Sequence, residues 1–116
     1  MSKPSNKDFG CLLSILDSIN KILDYTKNFE TADEFYNNTL SFDATLMNFV
    51  VIGEMAEKLS NEFRSATESD IDWYKIKGFR NIIAHIYFGI DAEEVWQIIQ
   101  DNLLELKEKV LEIMKS

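Results

Sequence analysis

The chain has a single histidine, His85, and the residues around it are the ones whose types and spacing could do chemistry. Arg80 precedes it by five positions, Asn81 by four, and Tyr87 follows by two. Ile82, Ile83 and Ile86 recur between them at helical intervals, so residues 78–88 read as an amphipathic helix with one polar edge. At about 100° per residue, Asn81 and His85 project at similar angles, as do Arg80 and Tyr87. The two pairs occupy neighbouring stripes, which brings a guanidinium, an amide, an imidazole and a phenol together within about two turns. Imidazole moves protons near neutral pH, and guanidinium clamps phosphate. The set could bind and act on a phosphodiester. Each member also has an ordinary structural reading. His85 near a helix C-terminus could meet the last carbonyls, Arg80 could pair with a surface carboxylate, and Tyr87 could cover a core edge.

Such a face needs a helix with a defined start and neighbours to pack against. Residues 65–70 read as a loop, after which Asp70 or Asp72 can cap a helix starting at Ile71 or Trp73. That helix should end near residues 87–89, where Gly89 suits a left-handed C-cap. Upstream, Leu40, Ala44, Met47, Phe49, Val50, Val51, Met55, Leu59 and Phe63 trace a stripe that predicts one long helix over residues 40–64. Gly53 within it costs up to about 1 kcal/mol relative to alanine, which tight helix–helix contact would offset. Its neighbour Glu54 has two readings: a solvated residue paired with Lys58 at i+4, or a support for the histidine helix.

Phe9, Leu12, Leu13, Leu16, Ile19, Ile22 and Leu23 predict a first helix over residues 7–26, with residues 1–6 frayed. Thr31 and Glu34 have capping-box spacing before a short helix bearing Phe35 and Tyr36. Asp91 and Glu94 form another capping arrangement, opening a last helix over residues 92–115. There is no strand-like alternation, internal repeat or low-complexity segment. The expected architecture is an all-α up-and-down bundle of four main helices plus a short one, as a single domain over residues 1–116.

Composition narrows the function classes. Apolar residues make up 46% of the 116, enough for a core. No run reaches the roughly 18 apolar residues of a membrane span, and the polar start lacks a signal-peptide pattern, so a cytoplasmic location is expected. Cys11 stands alone among apolar residues, which favours a buried thiol. One cysteine and one histidine make no conventional zinc site, and no motif points to another metal or to a cofactor. The net charge of −8 argues against a broad nucleic-acid-binding surface. It leaves room for a small site, because Lys75, Lys77 and Arg80 are the charged residues between Trp73 and Phe88.

The pattern Arg80-Asn81-x-x-Ala84-His85-x-Tyr87 resembles the R-x4-H-x-Y signature of HepT-like toxins, a branch of the HEPN superfamily. Gly53 and Glu54 stand where that family has a Gly-Glu pair, Trp73 precedes the arginine by seven positions, and Ile90-Asp91 followed by Val95-Trp96 matches the family's continuation. The resemblance covers roughly residues 45–100. It implies a metal-independent endoribonuclease, without cofactor, working as a homodimer on RNA. Arg80 and His85 would be catalytic, and Asn81 would support them. It also implies a toxin of a type II pair, neutralised by an MNT-type nucleotidyltransferase antitoxin that can transfer AMP to Tyr87. Two other readings stand beside it: a non-catalytic HEPN module that binds a nucleotidyltransferase, and a plain helical dimerisation module.

Overall fold

Ser5 is extended, and its hydroxyl accepts the Asp8 N–H at 3.1 Å. This cap starts helix α1 (Asn6–Thr26), so the helix begins at the last residue of the stretch expected to fray. The computed structural model describes residues 4–81 and 92–115. Leu12, Ile15, Ile19 and Ile22 of α1 are fully buried, and Cys11 is buried beside them, as its surroundings in the sequence suggested.

The Thr31 hydroxyl accepts the Glu34 N–H at 3.2 Å and opens α2 (Ala32–Asn37). The Glu34 carboxylate reaches one residue further back than a capping box requires and accepts the Glu30 N–H at 3.2 Å. Phe35 of α2 is fully buried. Its ring packs on Phe42 and Trp96 at centroid distances of 5.0 and 5.6 Å. Asn38 then turns the chain and caps α3 (Thr39–Lys58), its side chain accepting the Ser41 N–H at 3.0 Å.

The single helix expected over residues 40–64 is broken in two. Leu59 and Ser60 are extended, and α4 (Asn61–Thr67) starts afresh after them. The cause is tertiary. The Asp8 carboxylate accepts both the Ser60 N–H at 2.8 Å and the Ser60 hydroxyl at 2.7 Å, and the Ser60 oxygen accepts the Phe63 N–H at 3.1 Å. The start of α1 is thereby tied to the end of α3, which sets the two helices antiparallel. Arg64 donates to the Ala56 and Glu57 carbonyls and covers the end of α3. Residues 65–67, expected in a loop, are the last turn of α4.

Asp72, rather than Asp70, caps α5 (Trp73–Lys77) by accepting the Lys75 N–H at 3.1 Å. The buried Trp73 indole donates to Thr67 Oγ1 at 2.8 Å. The chain then tightens into a 3-10 turn, Gly78–Asn81, instead of continuing as the expected α-helix. At the C-terminal end, α6 (Ala92–Ile98), a π-helical turn (Ile99–Leu103) and α7 (Leu104–Lys115) follow one another directly, in place of the uniform helix expected. Val95, Ile99, Leu103, Leu106, Val110 and Ile113 form their buried edge. α1 packs on α3 and α7, and α2 on α6. The fold is all-α, as expected, with no strand among the described residues. No helix among them is long and apolar enough to cross a membrane.

Candidate functional site

Gly53 of α3 sits directly under the 3-10 turn that carries Arg80. A Cβ at Gly53 would lie 2.9 Å from the Arg80 Cβ, 3.0 Å from the Lys77 carbonyl oxygen, and closer still to the Arg80 backbone nitrogen. Real carbon atoms do not approach so closely, so only glycine lets the backbones meet here. The tight contact expected as the compensation for this glycine is formed, and it is made with the arginine's own turn. Phe79 anchors the same turn, buried edge-to-face against Phe49 at 5.2 Å and 88°.

With its backbone fixed, Arg80 extends to α3. Its Nη1 donates to Glu57 Oε2 at 2.6 Å, and Lys77 Nζ lies 3.8 Å from the same oxygen. Both members of the Arg80–Glu57 pair remain 40% exposed. An ion pair this wet contributes little to stability, roughly 0–1 kcal/mol. Its effect is to aim the guanidinium while leaving donors open to solvent. Asn81 is exposed next to it.

Glu57 is the residue that sequence reasoning missed. Glu54 is exposed and forms no ion pair among the described residues, with Lys58 or otherwise. The carboxylate that meets the motif stands one turn further on. The signal was present: if Gly53 faces the motif, a residue at i+4 faces it too.

The alignments of Arg80 with Tyr87 and of Asn81 with His85, read from an ideal helix, run through residues 82–87, which lie outside the described residues. His85, Tyr87, Gly89 and Asp91 lie outside the described residues. Among the described residues, no cluster of three histidine, cysteine or carboxylate side chains stands ready for a metal.

Comparison with known proteins spans nearly the whole of this framework. A family described as Ribonuclease HepT-like matches residues 15–113, from within α1 to within α7. A Methanocaldococcus jannaschii protein named "Putative RNase MJ1380" is 34% identical over 110 residues, covering 95% of this chain and 97% of the relative. Another from that organism, "Gamma-glutamylcyclotransferase and putative RNase MJ0434", is 35% identical over 102 residues, 88% of this chain but 45% of the relative. A Thermococcus cleftensis protein named "Probable ribonuclease HepT" is 26% identical over 113 residues, covering 97% and 99%. No solved structure matches significantly. The extent of the family match, together with an arginine turn seated on a helix glycine, places this chain in the HepT-like ribonuclease family of the HEPN superfamily.

Proposed function

We propose that this protein is a metal-independent endoribonuclease and the toxin of a type II toxin–antitoxin pair, with residues 1–116 forming one catalytic domain that acts in the cytoplasm. The observation that carries the reading is Arg80: its backbone is pinned on Gly53, its guanidinium is aimed by Glu57, and it stays open to solvent. A fixed guanidinium suits charge building on a phosphorane-like transition state, and Asn81 beside it can orient a phosphate oxygen. His85 takes the proton of a ribose 2′-hydroxyl, whose oxygen attacks the adjacent phosphorus. The bond from phosphorus to the 5′-oxygen breaks, and that oxygen takes a proton from the histidine of a second copy. The products are a 2′,3′-cyclic phosphate and a 5′-hydroxyl. One histidine per chain is the reason for a homodimer, since acid and base are then both supplied. The exposed Phe9 and Leu13 of α1, one turn apart, give a second copy apolar surface to cover.

The partner in this reading is an MNT-type nucleotidyltransferase antitoxin. The Tyr87 phenol oxygen takes AMP from ATP, pyrophosphate leaves, and the added phosphate blocks the arginine site. Induced expression tests the scheme. Wild-type protein should arrest growth, the antitoxin should relieve the arrest, and mass spectrometry should place AMP on Tyr87. Tyr87→Phe should stay toxic in the presence of the antitoxin. A fully toxic His85→Ala would overturn the nuclease mechanism. AMP on another residue would overturn only the regulatory half. The non-catalytic reading, in which the protein is a module that binds a nucleotidyltransferase, takes its support from the occupied Arg80–Glu57 pair. It requires that RNA stay intact with the pure protein.

A further inference from the structure

Tyr74 is the most exposed large apolar side chain among the described residues, at 86%, while its neighbour Trp73 is buried. On α5, Tyr74 and Lys77 are three residues apart and share a face. Three residues further, in the tighter turn where residues three apart eclipse, comes Arg80. Lys77 and Arg80 converge on the same Glu57 oxygen, at 3.8 and 2.6 Å. An aromatic ring, an ammonium and a guanidinium therefore follow one another along a single edge that ends at the proposed catalytic arginine.

Tyr74 and Lys77 also border a groove of about 540 Å³, lined further by Asn61, Arg64, Glu68 and Asp72. That volume lies within the roughly 300–1,000 Å³ of small-ligand clefts. A second concavity among the described residues, between α5 and the π-helical turn, holds about 120 Å³ and is too small for a nucleotide. Arg64 is already held in place by the Ala56 and Glu57 carbonyls and by Asn61, so its charge is pre-positioned on the groove wall. Glu68 and Asp72 offset the two cations, so the groove is not a general anion trap. Phosphate is favoured at the Lys77–Arg64 edge, and the carboxylates are acceptors suited to a base amino group.

We propose that Tyr74, Lys77 and Arg64 form a nucleotide subsite for single-stranded RNA, with Tyr74 stacking on a base beside the phosphate held at Arg80. The proposal rests on the ribonuclease reading and names how that site grips its substrate. Stacking on an exposed ring needs an unpaired base, which makes the subsite selective for single strands over duplex.

Fluorescence anisotropy with labelled ten-nucleotide oligouridylate and oligoadenylate tests it, in a His85→Ala background so that the RNA stays intact. Tyr74→Ala should weaken binding about tenfold or more, the effect of losing one base stack. Tyr74→Phe should bind within about twofold of the parent. In Tyr74→Trp, fluorescence of the new indole should be quenched by RNA, since Trp73 and Trp96 are buried. Circular dichroism should be unchanged throughout. Equal affinities for the Tyr74→Ala protein and its parent would overturn the subsite, and wild-type cleavage activity in parallel would leave the ribonuclease reading standing. A wild-type protein that neither binds nor cuts RNA would sink both. Loss of antitoxin binding on Tyr74→Ala, with RNA affinity unchanged, would assign Tyr74 to a protein interface and overturn the proposal.

Discussion

Arg80 depends on two residues of α3 that do different things. Gly53 sets where its backbone lies, and Glu57 sets where its guanidinium points. Gly53→Ala gains helix propensity of up to about 1 kcal/mol but drives a methyl group into the Arg80 backbone. Overpacking of this kind costs about 1–3 kcal/mol, so the melting temperature should fall by several degrees and RNA cleavage should fall with it. A variant as stable as wild type would mean that the two backbones do not touch. Glu57→Gln keeps the shape and removes the charge. Because the pair is wet, stability should change by less than about 1 kcal/mol, whereas kcat should drop roughly tenfold as Arg80 loses its aim. Cleavage measured at saturating RNA checks this, and a faster variant would show that Glu57 restrains the arginine instead of positioning it. At this scale the sequence announced Arg80 and Gly53 by type and spacing. It signalled Glu57 only through its place four residues after Gly53, because the ion pair itself spans 23 positions and has no local signature.

The elements show where periodicity stops being informative. Leu59 and Phe63 continue the apolar stripe across the break between α3 and α4, so the pattern reads as one helix. The break is made by Asp8, 52 positions away from Ser60. The 3-10 turn at Gly78–Asn81 is hidden for a related reason: packing on Gly53 tightens residues whose spacing suits an α-helix equally well. By contrast, the cap at Thr31 was legible and the next was narrowed to Asp70 or Asp72, because a cap is a contact within three residues. Asp8 gives this scale its test. Burial pushes its carboxyl up, but the Ser60 N–H and hydroxyl, the Ser5 hydroxyl and Lys7 outweigh that and hold it below the ordinary 3.8. A carboxyl lowered on folding contributes stability above its unfolded value, and that stability is lost as pH falls through the folded value. Asp8→Ala should therefore cost about 2 kcal/mol at pH 7, the worth of hydrogen bonds to a charged acceptor. The gap from wild type should narrow below about pH 4. Urea melts at pH 7 and pH 3 measure both, and a gap independent of pH would show that the charge does not hold the corner.

For the whole molecule, the all-α architecture was legible because the apolar stripes are long and glycine and proline are few. Under the proposed reading, a net charge of −8 would confine RNA to the small basic edge of Lys77, Arg80 and Arg64 instead of a broad face. Cleavage should accordingly weaken between 50 and 200 mM salt by less than the roughly 10³–10⁵-fold seen for proteins with six to ten phosphate contacts. Light scattering at micromolar concentration should give a dimer, unchanged by His85→Ala; a monomer that still cuts RNA would remove the need for a second histidine. The measurement closest to the central claim is cleavage of single-stranded RNA by the purified protein in excess EDTA, with end-group analysis of the fragments. The account predicts 2′,3′-cyclic phosphate and 5′-hydroxyl ends, a bell-shaped pH profile, loss of activity in His85→Ala, and a loss of about 10²-fold or more in Arg80→Ala. Cleavage that stops in EDTA and returns with Mg²⁺ or Mn²⁺, or that persists in His85→Ala, would contradict it.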